Sequence, residues 1–492
     1  MNQEEALRSR QQAKPGLFIR WGLHSLTGQD EQLMYRERIP AKEYEKLAAR
    51  FEGARFAPEE WARLAKEAGL GYIVITAKGY DGFSLFSTQM DSFNSCEAAS
   101  LGRDVVGELA QVCRREGIGL GIHYAHARDW RHPMAQSFEP AEEGRLVNCG
   151  NFWDYPMEHR KNLQAYLDEY ALPQLNELLT RYGNLFTVRF DAPSLLRPDQ
   201  ADGIRDFIRE RQPDCLISGM LCAEENTECA APQEAGGMNL RWEDIVRSLT
   251  GAAGKGQGLL ISVYPQGDGS FSEGDRRALL KTGAWLRENG EAVYGASASP
   301  FYYEPSWGKI TQKENCLYLI VTDPAARAVT LTGLQSRVRA CSALAGGKAM
   351  RFEQTHEDSE DVHSLTVSLT GLQGSFRVVR VETADGIKVS RRLGPDGEGR
   401  IALPMSHAER QEEHARWTLH ADRPGRFLLS VGLMGNAKGE IRLELDGSVY
   451  ALECGNRQSV TVDTVFLTCG RHVLEAWTDN DAAITGCMLT PI

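Results

Sequence analysis

Residues 174–191 read QLNELLTRYGNLFTVRFD. Through 160–182 apolar residues recur every three or four positions, as on one helix face, and then close into the run Leu185–Phe190, which stops at Asp191. A helix leading into a short apolar strand with a polar end is one unit of a parallel sheet joined by crossover helices. The same grammar is found on both sides. Candidate strands are Leu17–Trp21, Tyr72–Ala77, Gly119–Tyr124, Cys215–Ser218 and Leu259–Tyr264. Helical spacing marks Pro58–Ala68, Asp104–Glu116 and Asp275–Asn289, the last closed by Gly290.

This many βα units within residues 1–300 predicts a (β/α) TIM-like barrel rather than an open doubly wound sheet. No GxGxxG follows the first strand, which removes the main support for a dinucleotide site. The glycine-rich GAAGKGQG at 251–258 precedes a strand and has no Ser or Thr after its Lys, so it is no phosphate loop. From about Asn315 the pattern turns to alternating strands such as CLYLIVTD, AVTLTGL and FRVVRVE, and predicts a β-sandwich over 301–385. The polar stretch Thr383–Gly399 leads into RFLLSVGL, EIRLELDG and HVLEAWTD, a second antiparallel sandwich over 386–492. The expected fold class is therefore α/β, a barrel followed by one or two C-terminal sandwiches.

At 492 residues the chain exceeds one core, and no apolar run reaches the roughly 20 residues of a membrane helix. The net charge of -12 argues against nucleic acid, which needs clustered Lys and Arg. The N-terminal MNQEEALRSRQQAKP has no apolar stretch of the signal-peptide kind, so a cytoplasmic location is expected, a removed leader aside. Eleven scattered cysteines without a CxxC pair suit reduced, packed thiols; even the close pair Cys222 and Cys229 lacks a nearby His, and no metal or other cofactor is expected.

Barrel enzymes place chemistry just past the strands' C-terminal ends. Those positions hold Arg20, Trp21 and His24; Lys78, Tyr80 and Asp81; His123, Tyr124, His126, Asp129 and Trp130; and Asp191. A partly desolvated carboxylate at a strand end can attack an electrophilic carbon, although Asp in a βα loop also caps helices. For Asp81, inside Tyr80-Asp81-Gly82, the turn role is the stronger reading. The rings Trp21, Tyr80, Tyr124, Trp130 and Trp153 fall near strand ends, where they either line a sugar pocket or fill core. Trp417 and Trp477 in the last sandwich face the same choice, and core is favoured.

Several of these segments resemble the α-L-fucosidase family, glycoside hydrolase family 29. GLFIRWGLHS at 16–25 resembles its GMFIHWGLYS, and TAKGYDGF at 76–83 is similar to TAKHHDGF. RDVVGEL at 103–109 and the stretch His123–Pro133 extend the likeness. GLLISVYPQGDG at 258–269 and GAWLRENGEAVY at 283–294 look like GNLLLNIGPxxDG and GxWLxxNGEAIY. The resemblance implies an exo-acting retaining α-glycosidase that removes a terminal sugar by double displacement, with carboxyl groups about 5–5.5 Å apart. It places the nucleophile on Asp191 and the acid/base on a loop glutamate past the fifth strand, where CAEENTECAAPQEAGG at 222–237 offers Glu228 first and Glu234 next. The substrate-binding set it implies is Arg20, Trp21, His24, Tyr35, Lys78, Tyr80, Asp81, Tyr124, Trp130 and Arg189.

The chain departs from the family pattern at the sugar-reading positions. Arg20 replaces the His before Trp-Gly, Gly79 and Tyr80 replace a His pair, only Tyr35 survives from Glu-Trp-Tyr, Ala192 stands for a glycine and Ser262 for an asparagine. A pocket that has changed its hydrogen-bond partners reads a different pattern of hydroxyls, so the sugar is expected to differ from, or only resemble, L-fucose. Arg20 suits a carboxylate or sulfate on a sugar, or else pairs with Asp81 or Asp191. Two function classes follow: an active glycosidase, or a catalytically impaired homologue that binds glycans. The expected partner is a glycan or glycoside, and a homo-oligomer is an open option. The last sandwich resembles carbohydrate-binding or accessory modules attached to such enzymes.

Overall fold

A computed structural model describes residues 15–140, 146–190, 196–219, 233–301, 305, 307–357, 362–389, 394–395, 398–405, 409–411, 414–433, 439–454, 459–478 and 484–492. The chain divides into two compact units, Met1–Ala296 and Ser297–Ile492.

The first unit is built on seven parallel strands: β1 (Gly16–Ile19), β2 (Tyr72–Lys78), β3 (Gly119–Tyr124), β4 (Thr187–Phe190), β5 (Leu216–Gly219), β6 (Gln233–Gly236) and β7 (Leu259–Val263). Their spatial order is β5-β4-β3-β2-β1-β7-β6, so the last strands return to the far side of the first. That cyclic order is a TIM-like barrel, with its ladder open among the described residues between β5 and β6. β1 and β2 are buried along their whole length, as expected of strands covered on both faces.

Among the described residues six longer helices accompany the strands: α1 (Pro58–Glu67), α2 (Val105–Glu116), α3 (Leu172–Arg181), α4 (Pro198–Arg211), α5 (Trp242–Gly254) and α6 (Glu273–Asn289). α2 starts where Asp104 Oδ1 accepts the Gly107 amide at 2.8 Å and stops at the left-handed Gly117. α6 crosses α1 closely at Gly283, where a Cβ would lie 1.9 Å from the Glu67 carbonyl oxygen.

Two expectations changed. The helix read over 160–182 is interrupted: a turn at Glu158–Arg160, α-helix at Leu163–Tyr166, a π-helical turn at Leu167–Ala171, then α3. Pro173 at the start of α3 has no amide hydrogen to donate backwards, so the preceding turn adopts wider bonding. β6 was not anticipated. Its QEAG is short and polar, and it pairs with β7 by the register Glu234↔Leu260.

The second unit contains two sandwich cores. In one, a four-stranded sheet (Gly308–Lys313, Cys316–Val321, Arg377–Thr383, Val338–Ala343) and a three-stranded sheet (Ala328–Thr332, Val362–Ser368, Phe352–Glu357) bury Leu317, Leu319, Leu331 and Val367 together. In the other, a four-stranded and a five-stranded sheet enclose Trp417, Leu419, Leu429 and Leu443. Trp417 is fully buried and its indole N–H donates to the Pro404 carbonyl at 2.9 Å, so it is core. Trp477 is half-buried, stacked on His414 at 4.8 Å with Arg442 over its ring.

Candidate active site

Side chains two apart on a strand share a face. Register then aligns Phe18 with Val74 and Ser262, Thr76 with His123, and His123 with Arg189. Phe18, Tyr72, Val74 and Leu260 form an apolar plug in the barrel. Over its Phe18 ring lie the guanidinium groups of Arg20, at 4.1 Å, and Arg189, at 5.8 Å, with the His123 ring 5.4 Å away. The barrel ladder continues through Arg20, whose amide donates to the Val263 carbonyl at 2.9 Å, which fixes the backbone from which its side chain projects.

Arg20 and Arg189 converge on Glu234. Arg20 Nη2 and Nε donate to Glu234 Oε1 at 2.7 and 3.2 Å, Ser262 Oγ donates to the same oxygen at 2.5 Å, and Arg189 Nη2 donates to Oε2 at 2.9 Å. Arg20 Nη1 also binds Glu31. Two guanidinium and two carboxylate groups therefore balance in charge. Backbone exposure makes Glu234 an exposed residue as a whole, but its side chain is only 30% exposed, against 7% for Arg20. Burial alone would raise the Glu234 pKa. Attraction to Arg20, the bonds from Ser262 and Arg20, and Arg189 outweigh it and hold the carboxyl below its ordinary range. Burial likewise opposes the Arg20 charge, and Glu31 and Glu234 more than offset it. Arg20 thus pairs with Glu31 and Glu234, and Asp81 bonds elsewhere. Among the described residues, Nε and Nη1 of Arg189 are buried without a hydrogen-bond partner.

Lys78 and Tyr124 lie in the barrel wall. Lys78 is completely buried; its Nζ donates to Asp129 Oδ2 at 3.1 Å and to the Tyr166 hydroxyl at 2.5 Å, with the Tyr124 and Tyr170 rings about it. Burial pulls its pKa down against the attraction of Asp129. The Tyr124 hydroxyl donates to Gln174 Oε1 at 2.9 Å, tying β3 to α3. Asp81 makes the turn: Oδ1 accepts the Phe83 amide at 3.1 Å and Oδ2 the Tyr44 hydroxyl at 3.0 Å. Burial raises its pKa to about 6 despite those bonds.

Trp21 packs against Phe51, Phe56 and Trp61 and donates to the Gln266 carbonyl at 2.9 Å, a core arrangement. His24 is buried beside the Arg20 backbone, its Nε2 without a hydrogen-bond partner, and burial drops its pKa to about 4. Tyr80, Trp130, Tyr35 and Trp153 form a chain of rings, with centroid spacings of 5.5, 5.5 and 6.0 Å. This chain leads from the end of β2 to a cavity of about 690 Å³. Asp191 and Glu228, with Glu224 and Glu225, lie outside the described residues. Glu31 was not anticipated. The only sequence cue was its nearness to Met34 and Tyr35, since nothing local announces its pairing with Arg20.

A parallel barrel of seven described strands with arginines and a carboxylate above its apolar plug, and a separate chain of aromatic rings from the end of β2, has the make-up expected of a carbohydrate-cleaving enzyme. A family model described as alpha-L-fucosidase matches residues 1–216. Rat tissue alpha-L-fucosidase is 23% identical over 352 residues, covering 58% of this chain and 69% of that protein. Among solved structures, alpha-L-fucosidase isoenzyme 1 from Paenibacillus thiaminolyticus is 28% identical, with TM-score 0.67 over 78% of this chain and all of that one. The alpha-L-fucosidase from Vibrio sp. strain EJY3 shares the fold at 22% identity, with TM-score 0.77 over 99% of this chain and 98% of that one. Residues 1–216 thus match the α-L-fucosidase family, and the chain is an α-L-fucosidase-like glycoside hydrolase.

Proposed function

We propose that the chain is an exo-acting retaining α-glycosidase that removes a terminal L-fucose or a closely related sugar. The observation that carries this reading is the 2.9 Å bond from Arg189 to Glu234. It ties the strand that leads in sequence into Asp191 to a carboxylate at the barrel interior. Asp191 attacks the anomeric carbon as the glycosidic C–O bond breaks, and the leaving oxygen takes a proton from the acid/base. The same group, now a carboxylate, removes a proton from water as the water oxygen displaces Asp191 and frees the sugar. Glu234 takes the acid/base role. Its resting ionised form is the base of the second half; for the first half, an entering sugar must draw Arg189 or Arg20 away so that Glu234 can hold a proton.

Among the described residues Glu31 and Glu234 already engage both arginines, so a neutral sugar is the simpler fit for the cleaved position. Arg189 supplies two buried nitrogens with no partner among the described residues, which suit sugar hydroxyl oxygens. Trp130, Tyr80 and Tyr35 support that pocket through ring packing, and His24, Lys78, Asp81, Tyr124 and Trp21 act by holding its walls. The sandwiches, divided as 301–385 and 386–492, are accessory modules.

The test is a panel of aryl α-glycosides with wild type, Asp191→Ala, Glu234→Ala and Glu228→Ala, each with and without azide. Asp191→Ala is expected to abolish turnover. Glu234→Ala should lose about 10²–10⁴-fold on substrates needing acid assistance, and azide should restore turnover with a glycosyl azide product. Azide rescue of Glu228→Ala alone would move the role to Glu228. Absence of turnover by wild type on every glycoside would favour a glycan-binding homologue, a reading to which the arginine clasp on Glu234 lends support.

A further inference from the structure

Gln32 on the lining of the cavity of about 690 Å³ follows Glu31, the partner of Arg20, in sequence, and the ring chain from Tyr80 through Trp130 reaches the same lining at Tyr35. Three half-buried rings face it: Tyr35, Phe152 and Trp153. They are held in place. The Tyr35 hydroxyl donates to the Asn148 carbonyl at 2.8 Å, its ring stacks on Trp130, and the Trp153 indole donates to the Ile39 carbonyl at 3.0 Å. The volume falls in the range of small-ligand sites, roughly 300–1,000 Å³.

Among the described residues the lining carries the guanidinium groups of Arg36 and Arg38 and no carboxylate, in a chain whose net charge is -12. Arg36 is engaged by Asp30 at 3.1 Å and Gln29 at 3.0 Å. Arg38 is exposed at the lip, and its backbone sits at φ 50°, a region an arginine rarely adopts. The turn bonds Arg38 N to Tyr35 O, at 3.2 Å, and Ile39 N to Met34 O, at 3.0 Å, hold it there. Such strain persists where the surroundings over-determine it, and it collects at ligand sites.

We propose that this cavity is a second sugar subsite, which receives the ring on the leaving side of the cleaved bond and selects one bearing a carboxylate or sulfate; this rests on the glycosidase reading above. The C–H face of the pyranose packs on Trp153 and Phe152, its hydroxyls reach Gln32 and Asn148, and its anionic substituent pairs with Arg38. The substrate is then an acidic oligosaccharide that ends in a neutral sugar. A local cation serves this, since the chain's net charge of -12 does not by itself attract anions.

The test compares kcat/KM of wild type, Trp153→Ala and Arg38→Gln on an aryl α-L-fucoside and on α-L-fucosyl disaccharides that are neutral, carboxylated or sulfated in the second ring. Trp153→Ala should lower the ratio of every disaccharide to the aryl fucoside by about 3–10-fold, the size of an aromatic packing contribution. Arg38→Gln should lower only the ratio of acidic to neutral disaccharide, by about 5-fold at low salt, with the effect fading as salt is added. The carboxylated and sulfated arms show which anion is preferred. Unchanged ratios in Trp153→Ala would overturn the subsite, and equal loss on neutral and acidic disaccharides in Arg38→Gln would overturn its anion selectivity. If wild type cleaves no glycoside, the glycosidase reading has failed by itself. Calorimetric titration of the same disaccharides then decides the subsite: binding weakened by Trp153→Ala upholds it, and binding insensitive to that change overturns it.

Discussion

Replacing Arg20 by Met keeps the apolar stem and removes the charge that faces both Glu31 and Glu234. Removing one member of a buried ion pair costs about 3–5 kcal/mol, because the remaining charge stays buried and uncompensated. The side chains of Glu31 and Glu234 are 16% and 30% exposed, so water relieves part of that cost. A loss of about 2–4 kcal/mol is expected for Arg20→Met at pH 7. Urea unfolding followed by tryptophan emission reads it, since Trp21 adjoins the site and Trp61 packs on Trp21. The sign with pH follows from Glu234. Its folded pKa is depressed below the ordinary 4.5, so its stabilisation is present above that pH and disappears as pH falls through the folded value. Without Arg20 only the part due to Ser262 and Arg189 remains, so the gap between wild type and variant should be wide at pH 7 and narrow as pH falls below 4.5 and through the folded value. Adding Glu234→Gln to Arg20→Met should recover at least about 1 kcal/mol relative to additivity, the size of coupling expected for directly paired groups. A loss below about 1 kcal/mol at pH 7, or a gap that stays constant however far the pH is taken below 4.5, would refute the reading of Arg20 as the clamp of this network.

Asp81→Asn preserves an acceptor for the Phe83 amide and removes a carboxylate whose burial raises its pKa to about 6. Because the folded state holds that proton more tightly, wild type loses stability from this group as pH rises from the ordinary 3.8 through 6. The variant should be about 1–3 kcal/mol more stable than wild type at pH 7–8 and lack this part of the pH slope, as thermal melts across pH can show. Gly82→Ala should destabilise by about 1–3 kcal/mol, since Gly82 has φ 76° and a Cβ there would lie 2.7 Å from Asp129 Oδ1. An unfolding midpoint equal to that of wild type would show the turn to be slack.

The sequence by itself determined the barrel's repeating units, because strand and helix periods are local. Tyr72–Lys78 and Gly119–Tyr124 read as buried apolar runs, and Asp104 and Gly117 mark the ends of α2 through short-range capping. It also indicated the family and the turn role of Asp81. Tertiary structure decided the rest. β6 becomes a strand because β7 supplies its partner, whereas QEAG alone carries no strand pattern. Lys78 and Tyr124, polar residues at strand ends, enter the wall because Asp129, Tyr166 and Gln174 are there to satisfy them. Arg20 meets Glu31, 11 positions away, and Glu234, 214 positions away, while Arg189 reaches Glu234 across 45. A side chain's charge is written in the sequence, but which opposite charge compensates it depends on which strands the sheet sets side by side, and that is decided by pairings between segments far apart in the chain.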